Sequence, residues 1–203
     1  DKSAADYKAA LERIVQTSVQ LGLVIEDLLS MARSDIDTLV LDRRLVLIEQ
    51  PLRAAISQIK PSARLKSIHL ACHINSQDEV LGDPLRLQQV FGLLLDNAVS
   101  YSNPYSQIEV YTQQLPAQLN QPAYWQVSIH NRGIAISEDE LMQVFERSFR
   151  GAAARQYRPD GHGLGLLIAS SLIRAHQGQI QLNSDPELGT TVQVSLPIAS
   201  TTP

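Results

Sequence analysis

From Tyr7 to Ala32, the positions Tyr7, Leu11, Ile14, Ser18, Leu21, Ile25, Leu28 and Ala32 are spaced alternately four and three apart, which lays a seam along one face of a long helix. Ser18 and Ala32 leave that seam short of large side chains, so it suits a bundle better than an isolated two-stranded coil. The polar stretch 36–42 predicts a hinge. Strand-like Arg43 to Ile48 follows, then a helix from Gln50 to about Leu65 that Pro51 starts in its first turn. Ile68 to Ile74 reads as a strand, in which Cys72 is expected to be a small buried side chain. Asp83 and Pro84 supply an N-cap and a first helical residue for a mostly buried helix ending at Tyr101.

Gln107 to Gln114 and Tyr124 to His130 read as antiparallel strands, joined by the loop Leu115 to Ala123 with its Pro, Asn and Gln. Ser137 with Glu140 has the capping-box pattern and starts a short helix toward Phe145. Arg150 to Gly161, rich in Ala, Arg and Gly, reads as a loop, and Leu167 to His176 as a helix. Strands Gln179 to Asn183 and Thr191 to Leu196 close the pattern, the second with its apolar side chains alternating at 192, 194 and 196. The divisions are therefore a long helix in 1–35, a hinge in 36–42, a domain in 43–198 and a tail in 199–203. The expected fold is α+β: a two-layer sandwich of a mixed, mainly antiparallel sheet with helices on one face, preceded by the N-terminal helix.

At 203 residues the chain can bury a real core. Its formal net charge of -4, with no long block of Lys and Arg, argues against a general nucleic-acid binder. A single cysteine excludes an internal disulfide framework and fits a reducing compartment. No stretch approaches the ~18 apolar residues that cross a bilayer, and no signal peptide is visible, so no membrane contact is expected. A start at Asp1, without a methionine, is expected of a piece of a longer protein.

The chemistry concentrates in Gly161-His162-Gly163-Leu164-Gly165-Leu166, where three alternate glycines precede an apolar helix. Residues without Cβ let the backbone approach a ligand, and unpaired N–H groups with the positive end of a helix dipole suit phosphate. Before it stand the helix from Asp83 with Asp96-Asn97-Ala98, then Asn131-Arg132-Gly133-Ile134-Ala135 and Val144-Phe145-Glu146-Arg147-Ser148-Phe149-Arg150; after it comes Gly189-Thr190. In this order the elements resemble the catalytic and ATP-binding domain of bacterial sensor histidine kinases, with its asparagine, first glycine, phenylalanine and second glycine boxes and its terminal Gly-Thr strand. Leu23 to Arg33 is similar to the second helix of that family's dimerisation and phosphotransfer hairpin.

The resemblance implies roles. Asn97 matches the asparagine that ligates Mg²⁺, and an amide oxygen is a suitable hard donor. Tyr101 matches the aromatic that lies against adenine. Asn131, Gly133 and Ala135 fall in the first glycine box. Gly161, His162, Gly163, Leu164, Gly165 and Leu166 form the second, at the triphosphate, and Arg150 to Gly161 stands in the position of the ATP lid. Arg150 and the lid residues Arg155 and Arg158 are cations for phosphate, with a solvated-loop reading equally open for the lid pair. Thr190 matches the strand hydroxyl that helps to hold adenine. ATP and Mg²⁺ are the implied cofactors; a homodimer through the N-terminal helix and a response regulator receiver domain are the implied partners. The implied location is cytoplasmic, for a parent protein of a kind that can be anchored in the inner membrane.

The chain contains no catalytic phosphoacceptor, because its five histidines, His69, His73, His130, His162 and His176, all lie beyond the hairpin segment. His69 and His73 share a strand face without further ligands nearby, and His176 is expected to be a cation suited to the negative end of its helix. His162 stands where the family has Thr or Ser.

The departures from the family pattern cluster on the nucleotide. Asn131 replaces an aspartate, Ala135 a glycine, Leu93 an asparagine, Ser100 a Lys or Arg, and Ser148 an aromatic. A neutral acceptor at 131 forgoes about 1 kcal/mol, and loss of the cation at 100 a similar ~1 kcal/mol. Three functions stay open on sequence alone: a sensor histidine kinase, a degenerate regulatory module of that family, and another member of the same ATPase superfamily. The heptad seam and the phenylalanine box disfavour the third.

Overall fold

A computed structural model describes residues 40–119, 122–159 and 162–199. The long N-terminal helix and its dimer seam (1–35), most of the hinge, Gly161 and most of the tail lie outside the described residues. From Leu41 onward the chain belongs to one compact unit.

Strand β1 (Arg44–Leu47) is followed by helix α1 (Glu49–Leu65), β2 (His69–His73), β3 (Glu79–Gly82) and helix α2 (Pro84–Tyr101). Then come β4 (Gln107–Leu115), β5 (Tyr124–Asn131), the short helices α3 (Glu138–Leu141) and α4 (Ala152–Tyr157), helix α5 (Gly165–Ala175), β6 (Gln179–Asp185) and β7 (Gly189–Pro197). The main sheet runs β2-β4-β5-β7-β6; β2 and β4 are parallel and the other pairs antiparallel. β1 and β3 form a separate antiparallel ribbon. This is the two-layer α+β sandwich that the pattern of the chain predicts.

Strand alternation builds the sheet half of the core. Trp125, Val127 and Ile129 of β5 and Val192, Val194 and Leu196 of β7 are buried, with polar residues between them. Leu52 and Ile56 of α1, Leu87, Val90, Phe91, Leu94 and Leu95 of α2, and Ile168, Leu172 and Ile173 of α5 supply the helical half. Asp83 caps α2 as expected: its Oδ1 accepts from Leu85 N–H at 3.0 Å and Arg86 N–H at 3.2 Å.

Three expectations need correction, and one strand, β3, had no reading in the sequence. β3 carries too few residues to announce itself as a strand, and it exists because β1 lies beside it. The segment from Arg150 is not all loop, since α4 occupies its middle. Cys72 is exposed rather than buried; it sits on β2, an edge strand with one neighbour, where alternation alone does not secure cover. His176 is not a helix-end cation. It is buried, its Nδ1–H donates to Leu172 O at 2.7 Å, and its Nε2 accepts from Asp83 N–H at 3.0 Å. An imidazole that accepts at one nitrogen is neutral, and burial pushes its pKa below the ordinary 6.5.

The sign of the pH effect follows. The unfolded chain binds a proton at His176 that the folded chain refuses, so this stabilisation is complete above pH 6.5 and is lost as pH falls below it. Urea midpoints measured from pH 7.5 to 5 are expected to decline with a slope approaching ~1.4 kcal/mol per pH unit for this one site. The decline should be shallower in His176→Gln; equal slopes in both proteins would refute the assignment.

His69 and His73 stay exposed, and His73 stacks on Tyr111 with centroids 4.6 Å apart. Among the described residues no group of three or more His, Cys, Asp or Glu could hold a metal ion, and no helix is long and apolar enough to cross a membrane.

Candidate functional site

The alternation that sends Trp125, Val127 and Ile129 into the core places Asn131 next on the same face, and Thr190 begins the matching series in β7. The register pairs Asn131 with Thr190 directly. One end of an apolar interlayer therefore finishes in two polar side chains, 6% and 8% exposed. The Thr190 hydroxyl lies 2.8 Å from Ser184 Oγ, which accepts from Ile136 N–H at 3.0 Å. Ser184, which the sequence does not single out, thus fixes the loop after β5. The Asn131 amide makes no hydrogen bond among the described residues.

Glycine lets that loop reach α2. Gly133 bridges Ser102, and Ile134 N–H donates to Tyr101 O at 3.2 Å. A Cβ on Gly133 would lie 1.8 Å from Tyr101 O. Gly189 adopts φ 104°, and its Cβ would lie 2.4 Å from Asn131 O. These contacts bring Tyr101, Asn131, Gly133 and Thr190 together, with half-buried Ala135 farther along the same loop.

On α2, Leu93, Asn97 and Tyr101 recur every four residues and are all half-buried, whereas Leu94, Leu95, Ala98 and Val99 face the core. Asn97 is therefore on the same helix face as Tyr101, and its amide has no hydrogen-bond partner among the described residues. α5 starts beside this stripe: the nearest atom to a Cβ on Gly165 is Leu93 Cδ2, at 3.8 Å. Gly165 and half-buried Leu166 open α5 and Leu164 caps it. Of the described glycines in this run, Gly163 has the special conformation, φ 67°, and passes Phe149 O so closely that a Cβ would sit 2.7 Å away. His162 is exposed. Gly161 lies outside the described residues.

The segment from Arg150 to Pro159 is tied down at both ends of α4. Glu140 serves two ends at once: Oε2 accepts from Ser137 N–H at 3.4 Å and Oε1 from Ala152 N–H at 2.9 Å. Arg150 donates to Pro159 O at 3.0 Å, to Ala154 O at 2.9 Å and to Arg158 O. Its guanidinium is thus committed to the carbonyl end of α4. Arg155 Nε donates to Arg150 O at 2.8 Å. Tyr157 and Arg158 meet α2: Tyr157 OH donates to Ser102 O at 3.3 Å, its ring centroid lies 6.5 Å from that of Tyr101, and Arg158 pairs with Asp96. Neither Tyr157 nor Ser184 has a local sequence signal, because each reaches the site only through packing.

Residues 82–200 match the family model described as histidine kinase-, DNA gyrase B-, and HSP90-like ATPase. The sensor histidine kinase CusS of Escherichia coli (strain K12) is 25% identical over 196 residues, covering 97% of this chain and 39% of that protein. The sensor-like histidine kinase SenX3 of Mycobacterium tuberculosis (strain ATCC 25618 / H37Rv) is 28% identical over 186 residues, covering 92% and 44%. Less than half of each relative's length is therefore spanned. Among solved structures, the mycobacterial sensor histidine kinase MprB superposes with a TM-score of 0.67 at 27% identity, over 76% of this chain and 98% of that one. Full-length ShkA in complex with AMPPNP shares the fold at TM-score 0.70 and 22% identity, over 100% of this chain and 41% of that one.

Proposed function

This chain belongs to the histidine kinase-, DNA gyrase B- and HSP90-like ATPase family, and from that premise we propose that it is the ATP-binding, catalytic part of a two-component sensor histidine kinase. It binds Mg-ATP and donates the γ-phosphate to a histidine on a dimerisation hairpin, for relay to an aspartate of a response regulator. The observation that supports this most is the register of Asn131 with Thr190, brought against Tyr101 by Gly133.

In this reading the polar end of the interlayer receives the base. The Asn131 amide oxygen accepts from the adenine amino group, the Thr190 hydroxyl supports it, and the Tyr101 ring removes one face of the base from water. Asn97, on the same helix face as Tyr101, offers an uncommitted amide oxygen to Mg²⁺, whose role would be to neutralise phosphate charge. The donor set fits that ion. Gly163 and the start of α5 bring backbone N–H groups and the positive end of a helix to the phosphates. Because phosphoryl transfer needs positioning and charge neutralisation more than a nucleophilic triad, this inventory suffices for the donor half of the reaction. The acceptor histidine, the dimer made through 1–35, the receiver partner and a cytoplasmic location belong to the same proposal for the parent protein.

A regulatory, weakly binding module is the second reading, favoured by Leu93, Ser100, Asn131 and Ala135 and by the commitment of Arg150 to α4. Calorimetric titration with a non-hydrolysable ATP analogue separates the two. Asn131→Asp is expected to tighten binding by about 1 kcal/mol, several-fold in affinity, by restoring a charged acceptor. Asn97→Ala is expected to abolish the magnesium dependence. Absence of binding at millimolar analogue, unrescued by Asn131→Asp, would leave only the regulatory reading.

A further inference from the structure

Tyr101 covers one face of the base in the reading above and leaves the opposite face to another group. Tyr157, the last residue of α4, reaches the same corner of the molecule. Its hydroxyl donates to Ser102 O at 3.3 Å, and Ser102 is the residue that Gly133 bridges, where α2 meets the loop that carries Asn131. Its ring centroid lies 6.5 Å from that of Tyr101, with the two planes at 36°. Lys66, just past α1, donates from Nζ to Val99 O at 3.0 Å and to Ser100 O at 2.7 Å, which sets its ammonium 5.7 Å from the centroid of the Tyr157 ring. A cation at that distance attracts the ring and holds it toward α2.

The spacing suits a flat guest. A planar base that touches a ring on each face lies about 3.5 Å from both, so the two rings must stand about 7 Å apart and parallel. The tyrosine pair is within about half an ångström of that separation, and closing the angle between the planes is the larger part of the change. None of the residues of α4 is buried, so its end can turn this far without opening the core. Despite its contacts Tyr157 stays 44% exposed, which leaves aromatic surface for a ligand to cover.

We propose that Tyr157 is the second wall of the base site: its ring takes the face of the purine opposite Tyr101, so that the base is clipped between two tyrosines while Asn131 reads its edge. The hydroxyl on Ser102 and the ammonium of Lys66 set where that wall stands. The inference rests on the nucleotide-binding reading above and assigns a base-binding residue within that site.

The native chain, Tyr157→Leu and Tyr157→Phe are titrated calorimetrically with a non-hydrolysable ATP analogue and with adenosine, after far-UV circular dichroism has established that all three share one fold. Tyr157→Leu keeps apolar bulk without an aromatic face and is expected to weaken both ligands alike, about three- to tenfold; Tyr157→Phe keeps the ring and is expected to stay within about twofold of the native chain. Nuclear Overhauser contacts to the adenine H2 and H8 protons of the bound analogue are expected from the rings of both Tyr101 and Tyr157. Contacts from Tyr101 alone would make Tyr157 a strut that docks α4 and would overturn the proposal while sparing the nucleotide reading. An unchanged affinity in Tyr157→Leu would overturn it too, and so would a phenylalanine variant as weak as the leucine one, since the hydroxyl rather than the ring would then be what counts. A native chain that binds neither ligand at millimolar concentration would instead bring down the nucleotide reading itself, and this assignment with it.

Discussion

Gly133→Ala is expected to lower the free energy of unfolding by about 3 kcal/mol, the upper end of the cost of overpacking, and to abolish nucleotide binding together with it. The new methyl group would lie 1.8 Å from Tyr101 O, a backbone atom at the end of a packed helix, with Tyr101 C at 2.8 Å and Ser102 Cα at 2.9 Å behind it. None of these is the end of a flexible side chain that could swing away. The loop after β5 must therefore leave α2, breaking the Gly133–Ser102 bridge and the Ile134–Tyr101 hydrogen bond and separating Asn131 from Tyr101. Gly165→Ala is the matched control. Its Cβ meets nothing nearer than 3.8 Å, so the fold is expected to keep its stability or gain up to ~1 kcal/mol. Urea unfolding of both variants checks the pair. A Gly133→Ala protein with the native midpoint would show that the loop has no need to touch the helix.

The second large effect lies in the core. Trp125 is fully buried on β5 and meets Phe91 of α2 edge-on, with centroids 5.9 Å apart and planes at 67°. That contact joins the sheet layer to the helix layer. Trp125→Ala removes that contact and leaves a cavity between sheet and helix, for an expected loss of about 3–5 kcal/mol in the unfolding free energy. Trp125→Phe should cost much less than its lost area implies, because the buried Trp125 Nε1–H finds no acceptor among the described residues and phenylalanine removes that unmet donor. A phenylalanine variant as unstable as the alanine variant would mean that the indole N–H is satisfied after all. Measuring both in one urea series separates packing from polarity.

These two positions differ in how visible they are along the chain. The Asn131-Arg132-Gly133 run stands out as a motif, yet the reason for its glycine is a carbonyl 32 residues earlier, at Tyr101. Trp125 lies in a segment that reads as a strand, but the partner it strikes has no mark along the chain. Elements set by neighbours in sequence were legible: the Asp83-Pro84 start of α2, the strands β5 and β7, and the alternation at 192, 194 and 196 in β7. Their signals are strong because helix caps, strand pleats and helix periods are local geometry.

What the sequence by itself determined is the fold class, the order of its elements and the family to which the chain belongs, since each follows from periods and motifs a few residues long. Tertiary structure decided the rest. β3 became a strand only because β1 pairs with it, and Cys72 was left exposed because β2 ended up at an edge. His176 is neutral because Asp83 N–H, 93 residues away, donates to it. Lys66 and Arg158 converge on Ser100 from 34 and 58 residues away, a meeting that only packing brings about. Charge state, exposure and the sharing of one site by distant groups depend on which surfaces meet through space, and no local period encodes that.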